Sequence, residues 1–591
     1  MDLSIIRLSV FENVKKQYKF IFRANVNFFY SPKNLHSMRM IFFFMLLSLL
    51  FNCSEKRTET GQQDASIRIT NDLINERFGG IGFHVIFHTR KPSRWHYEQV
   101  FAKRWRELNP SFARVNDNPQ WDREELDEVS GYLDMMKNTN TEIYLTSFGV
   151  QSIHNYPKES DYVKKEVDNI EYLIRQKGFN NIRYYCMTNE LSLDFWASMV
   201  KNNELDRFKR IHQLFYDEFG RRNLQVGLLA TDASPFEYWP TIQWAADHMD
   251  DITAIYGGHH YINSYHLDDL TFYGYFLNKM KWGADLAASK NKKFIMGEFG
   301  PKQGSFFIDS VYYDGMIYNN IPEEPFVGIQ LSEAIIAQVN GGLYASSYWT
   351  FCDIPGIPPN REFGYRVNKW GVFKWYFDDY TTRPNYYALG LLTRFFRGPA
   401  EVYRVNTTDT LLRVCSVRNL ENDSRSIAII NRNRQAKYVH FKIDGITGKK
   451  PFRKYIYNPE NVPFNYFGDM QTHSKKVNPE DGMFTDSIPA YSLVVYTTSY
   501  DDEPPLPVSG LKTERKEVDK RDAEVITWSP NKEKDLCYYR IYRSVENDVP
   551  LIPRNEIGTT VSTQYVDKRV RSLPQFHYRV IAVDKSGNTS E

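Results

Sequence analysis

Two carboxylates stand out for where they sit. Glu190 follows Asn189 in RYYCMTNELSL (183–193), where an apolar, strand-like run stops abruptly at Thr-Asn-Glu. Glu298 lies in MGEFG at the end of another such run, 108 positions further on, so only a fold can unite the two. Carboxylates held face to face can cleave an acetal: one gives a proton to the leaving oxygen, and the other attacks the anomeric carbon or directs water at it. Further apolar runs end in residues suited to holding a carboxylate or a substrate: Arg114 in FARVN, His259-His260-Tyr261 in IYGGHHY, and Tyr348-Trp349 in SSYWTF. Each has a plainer use as well. Asn-Glu commonly opens a helix or a solvated loop, Arg114 suits a structural ion pair, and Trp349 suits a core. Of the two histidines, alternation favours His260 as the one behind the site.

The elements that must position these residues recur with a fixed rhythm. Between Ile81 and Thr350 a short apolar run rich in β-branched or aromatic residues occurs eight times: 81–87, 112–116, 142–148, 182–188, 225–231, 251–261, 293–299 and 342–351. Several are separated by helix-periodic segments. Residues 123–138 place Leu126, Val129, Leu133 and Met136 on one face, 205–220 do likewise and end on Gly220, and 331–342 close on Asn-Gly-Gly. Eight strands alternating with helices over about 270 residues match a (β/α)8 TIM barrel, whose active site lies at the carboxyl ends of its strands. The competing doubly wound sheet would carry a Gly-rich turn opening a helix after its first strand. The glycines of FGGIGF (78–83) instead precede the strand.

With 591 residues the chain exceeds one ordinary domain, and 42% hydrophobic residues suffice for large cores. A formal net charge of +2 leaves no basic field for a phosphate backbone, which excludes nucleic acid as an expected partner. Aromatic residues reach 15%. The five cysteines, Cys53, Cys186, Cys352, Cys415 and Cys537, are scattered without a Cys-x-x-Cys pair, so neither a zinc site nor a disulfide framework is expected. Cys186 and Cys415 lie in apolar strand patterns and read as core. No metal or organic cofactor is implied.

Outside the barrel (66–383) the pattern changes. Residues 384–500 lose the helical period and alternate as strands with polar turns, which predicts a β-sandwich that ASIRIT (65–70) joins from the other side. Residues 501–507, DDEPPLP, read as a Pro-rich acidic linker that lets 508–591 fold separately. The strands VITWSP, CYYRIYRS, STQYVD and FHYRVIAVD of 508–591 resemble an all-β fibronectin type III domain, with Trp528 as its core tryptophan and Tyr578 on its penultimate strand. At the other end, MRMIFFFMLLSLLFNC (38–53) has a basic start and an apolar core too short to span a bilayer. Its last four residues resemble a bacterial lipobox, with Asn52 where a small residue is usual. The resemblance implies lipidation at Cys53, a polar tether at 54–65, and export to the cell envelope, with attachment to a membrane. Residues 1–37 form an extension ahead of this signal that fits a start at Met38 or Met40.

The barrel residues together resemble clan GH-A, the retaining (β/α)8 glycoside hydrolases, in which Asn-Glu ends strand four and a Glu ends strand seven. That resemblance implies Glu190 as acid/base, Glu298 as nucleophile and Asn189 as the ligand of a sugar 2-hydroxyl. It implies that Arg114 and Tyr261 hydrogen-bond the nucleophile, that His259 contacts substrate, and that Trp349 forms a platform beneath the sugar. GEFG and His259-x-Tyr261 look like family 5, whereas SSYWTFCDI (346–354), RPNYYALGLL (383–392) and the trailing sandwich look like family 39. Leu191-Ser192 stands where family 39 shows a proline. The implied partner is a carbohydrate; the alternative is a non-catalytic carbohydrate-binding lipoprotein on the same scaffold.

Overall fold

The computed structural model describes residues 64–590 apart from short stretches at 87–95, 118–120, 148–149, 192–199, 202–204, 314, 316–318, 356–366, 376–378, 447–449 and 570–574. Cys53, the signal segment and the extension before it lie outside the described residues.

Eight strands close into a parallel barrel: β1 (Ala65–Val85), β2 (Phe112–Asp117), β3 (Glu142–Ser147), β4 (Ile182–Cys186), β5 (Gly227–Ala233), β6 (Ile255–Asn263), β7 (Phe294–Lys302) and β8 (Ala345–Tyr348). Neighbours pair in sequence order, and β8 closes the ring on β1 through Gly80–Phe83. Helices follow the strands: α1 (Ala102–Leu108), α2 (Arg123–Lys137), α3 (Glu159–Glu171), α4 (Leu205–Arg221), α5 (Pro240–His248), α6 (Phe272–Ser289), α7 (Val327–Asn340) and α8 (Pro384–Phe395). Among the described residues no helix is long and apolar enough to cross a membrane.

Local chemistry explains the elements. Asp122 and Glu125 form a capping box that starts α2, each side chain accepting from the other's backbone N–H at 2.9 Å. On α4, Leu205, Phe208, Ile211, His212, Phe215 and Phe219 are buried at helical spacing while intervening charges face water. Inside the barrel Phe112, Tyr144, Cys186, Leu229, Ile255, Ile295 and Ala345, one from each of β2 to β8, form an apolar plug. The inward positions above this plug carry the polar residues of the site. Cys186, Cys352, Cys415 and Cys537 are all buried free thiols.

β1 belongs to two layers. Its first residues pair in parallel with Lys437–Ile443 and antiparallel with Arg397–Thr407, and after a series of bulges Gly82–Val85 pair with β2. Arg397–Thr407, Leu412–Asn419, Arg425–Asn431, Ser492–Thr497 and Phe452–Tyr457 continue as an antiparallel sheet. Its inner face, which includes Tyr496, packs over Ile67, Ile69, Phe441 and Phe484.

Residues 512–584 form two three-stranded antiparallel sheets around Trp528, Tyr539 and Tyr578. They sit firmly against the rest of the chain. Asp469 Oδ1 is 2.5 Å from Lys103 Nζ, and its Oδ2 is 2.9 Å from Arg540. Lys103 also pairs with Glu107 at 2.6 Å and lies over the Tyr538 ring at 4.3 Å. Arg394 and Arg453 donate to the carbonyls of Lys585 and Ser586, at 3.1 and 2.9 Å. Taking one partner from a buried charge cluster is destabilising. Stopping the chain after Tyr500 is therefore expected to lower the melting temperature by several degrees, because Asp469 loses Arg540 and Lys103 loses its ring. An unchanged melting curve would show these contacts to be energetically idle.

Candidate active site

The polar residues at the carboxyl ends of the strands converge on one cluster. Arg114, two positions along β2 from Phe112, points inward and is wholly buried. Its Nη1 donates to Glu298 Oε1 and lies 2.8 Å from His84 Nδ1. Its Nη2 donates to Asp232 Oδ2 at 2.7 Å, Asn189 Oδ1 at 3.0 Å and Thr146 Oγ1 at 3.2 Å. One guanidinium thus ties together β1, β2, β3, the end of β4, β5 and β7.

Glu298 on β7 is 3% exposed, and Tyr261 Oη donates to its Oε2 at 2.6 Å. Burial alone would raise the Glu298 carboxyl, but Arg114, His259 and His84 outweigh it and hold it well below the usual carboxylate range. Burial, reinforced by Arg114, pulls His84 down to about 4. His84 Nδ1 also stands 3.2 Å from Glu298 Oε1, between the guanidinium and the carboxylate.

His259 sits between three carboxylates. Its Nδ1 is 3.1 Å from Glu190 Oε1 and 3.7 Å from Glu298 Oε2, and its Nε2 is 2.8 Å from Asp232 Oδ1. The last is a close ion contact off the N–H axis rather than a directed hydrogen bond. Gly297 makes room for it, since a Cβ there would stand 2.7 Å from His259 Nε2 and 3.0 Å from Asp232 Oδ1. Burial opposes a charge on His259, but Asp232 and Glu298 prevail and raise it to about 9. Because this value lies above the ordinary 6.5, the charged ring stabilises the fold fully below pH 6.5. That contribution is lost as pH rises through about 9. Unfolding free energy is expected to fall by about 1–3 kcal/mol over this window. Urea titrations should show the fall, and His259→Gln should flatten it; an equal slope in both proteins would exclude His259 as the source.

Glu190 lies just past β4 with φ +61°, and Asp232 on the adjacent strand has φ +60°. Two non-glycine residues in the left-handed region at one site mark backbone strain held by the surrounding contacts. Carboxylate oxygens of Glu190 and Glu298 and a ring nitrogen of His259 all lie within 4.8 Å of one another. This spacing would also suit a metal, but Arg114 bonds directly to Glu298 and the raised His259 faces both carboxylates. The positive charge a metal would bring is already supplied by side chains.

Trp349, immediately after β8, meets His84 edge to face at 4.5 Å and neighbours Trp370 at 6.1 Å. Trp370 in turn lies 5.7 Å from the Tyr261 ring. His260 is turned away: it stacks on Phe236 at 3.6 Å, and burial pulls it down to about 3. The structure therefore gathers Arg114, Asn189, Glu190, His259, Tyr261, Glu298 and Trp349 at one barrel end. It adds His84, Thr146 and Asp232, which the sequence reading passed over. Asp232 in LLATDAS ends a strand-like run in the same manner as Glu190 and Glu298, so the same signal was present there.

No family model matches the chain, and no curated protein matches it by sequence. Similar folds occur among solved structures. A GH30 endoxylanase from Clostridium papyrosolvens aligns with TM-score 0.51 and 13% identity, over 73% of this chain and 99% of that one. A bacterial orthologue of human α-L-iduronidase aligns with TM-score 0.54 and 12% identity, over 89% and 98%. A conserved exported protein from Bacteroides fragilis aligns with TM-score 0.52 and 9% identity, over 73% and 100%. The first two bear glycoside hydrolase names, and the barrel architecture is shared with them.

Proposed function

We propose that the chain is a retaining glycoside hydrolase acting on a polysaccharide or oligosaccharide. The observation that carries this reading is the approach of Glu190 and Glu298 oxygens to within 4.8 Å across the barrel mouth. An approach this close between single oxygens fits a retaining pair, whose carboxyl groups stand about 5–5.5 Å apart, better than an inverting pair at roughly 6.5–9.5 Å. The fold shared with named glycosidases adds support.

In this mechanism Glu298, kept ionised by Arg114 and Tyr261, attacks the anomeric carbon. Glu190 gives a proton to the leaving oxygen, then takes one from the water that releases the glycosyl-enzyme. Asn189 Oδ1 accepts from Arg114, which turns its amide N–H groups toward a substrate hydroxyl. His259 places positive charge between the two carboxylates, and Trp349 backs the sugar ring. Hydrolysis of a panel of aryl glycosides and polysaccharides tests the reading, with Glu298→Gln as control. No turnover on any of them, or turnover undiminished in the variant, would contradict it.

Residues 508–591 are read as a fibronectin type III domain from their six strands around Trp528. Cys53 is proposed as a lipidated N-terminus that fixes the enzyme to the bacterial cell envelope, since a multiply acylated terminus binds a bilayer stably. Cys53→Ala is then expected to move the protein from membrane to soluble fractions. A wild-type protein already soluble would remove the basis for the anchor.

A further inference from the structure

Arg104 on α1 is 2% exposed, and its Nε and Nη1 are buried without a hydrogen-bond partner. Among the described residues it makes no ion pair. Its guanidinium lies 4.3 Å from the Phe373 ring centroid and 5.8 Å from that of Tyr386. Gly468, at φ +74°, lets the backbone pass close over it, for a Cβ there would be 2.8 Å from Arg104 Nε. The buried carboxylates of the same junction are taken: Glu107 bonds Lys103 and the Met470 N–H, and Asp469 bonds Lys103 and Arg540. Burial pulls the Arg104 guanidinium below its ordinary value. A buried cation left unpaired costs free energy that an incoming anion would recover.

The same side chain lines a cavity of about 500 Å³. Three parts of the chain build it: the barrel gives Arg104 and Tyr380, the sandwich gives Tyr466 and Phe467, and the C-terminal unit gives Tyr565 and Arg569. Tyr466 is 53% exposed, so an apolar ring face stands open at the rim. Arg569 adds positive charge there, whereas Lys568 is paired with Asp519 at 2.5 Å. Of the two lining acids, Asp567 is engaged by Arg543 at 2.6 Å, which leaves exposed Asp379 as the opposing charge. None of the catalytic cluster lines this cavity.

We infer that this junction cavity is a second saccharide-binding site, separate from the catalytic mouth, for a sugar bearing a carboxylate or sulfate group. The anionic group would meet Arg104 while the ring stacks on Tyr466. A cavity closed only when 508–591 is docked would make that domain part of substrate recognition. The saccharide identity rests on the glycosidase reading; the anion site rests on Arg104 alone.

Isothermal titration of the full-length protein with D-glucuronate, glucose 6-sulfate, glucose and acetate tests this. Binding of glucuronate or of the sulfate ester, with glucose silent, is expected, and the stronger of the two names the anionic group. Arg104→Met is expected to weaken that binding roughly tenfold to a hundredfold. It should leave the melting temperature equal or higher, since an unpaired buried charge is removed. Tyr466→Ala, at an exposed position, should weaken sugar binding but not acetate binding. Overturning results are no binding of either anionic sugar, equal binding of glucose, or binding unaffected by both variants. Titrations repeated in Glu298→Gln keep the two readings apart. Anion binding without turnover in the wild type sinks only the glycosidase assignment, and turnover without anion binding sinks only this site.

Discussion

Glu298→Ala is expected to lower turnover by roughly 10⁴–10⁶-fold on every substrate, because no glycosyl-enzyme forms without it. Glu190→Ala should fail differently. Its proton matters most when the leaving group is poor, so natural glycosidic bonds should lose about 10²–10⁴-fold while activated aryl glycosides lose much less in the first step. Azide, a small nucleophile needing no base, should partly restore the second step in Glu190→Ala and form a glycosyl azide. It should not do so in Glu298→Ala by the same route. Equal residual activity of the two variants on every substrate would reject the assignment of roles. The difference follows from where the groups sit: Glu298 is buried among Arg114, His84 and Tyr261, whereas Glu190 is half-buried past the strand end and touches His259.

Asp232→Asn is expected to have the second largest effect, although the side chain need never touch substrate. Asp232 is buried, accepts from Arg114 and contacts His259. Burial opposes its charge, yet Arg114 and His259 hold its carboxyl below the ordinary value. Replacing the charge with an amide leaves two cations facing one strand end, at a cost of about 3–5 kcal/mol by analogy with other broken buried pairs. His259 should then fall from about 9 toward its ordinary value. Imidazole titration by NMR reads that fall directly, and denaturant unfolding reads the stability. A purely structural role would lower stability and leave the His259 titration where it was.

The two clustered carboxylates, Glu190 and Glu298, were legible in the sequence because a polar pair ends an apolar strand run, and barrel geometry turns strand ends toward one mouth. His84 was not, because IGFHVIF reads as a continuous strand to 87, whereas pairing ends at Val85. A residue that looks mid-strand therefore lies near the mouth. β1 was hard to read for a related reason. NDLINERFGG (71–80) has the composition of a loop, yet it stays extended because Arg397–Thr407 pairs with its backbone through successive bulges. α7 begins at Val327 rather than 331, since nearly every side chain from Val327 to Val339 is buried and no amphipathic period marks its start. The docking of 508–591 was invisible to any local pattern. Lys103, Asp469 and Arg540 meet only after three distant segments have folded, and a Pro-rich run such as DDEPPLP says nothing of what packs beside it.

The central claim, double displacement through Glu298, is tested most directly by the anomeric configuration of the first-formed product, followed by proton NMR during hydrolysis before mutarotation sets in. With carboxylate oxygens of Glu190 and Glu298 within 4.8 Å, two inversions and net retention are predicted. An inverted product would mean that water, not Glu298, attacks the sugar, and would contradict the account.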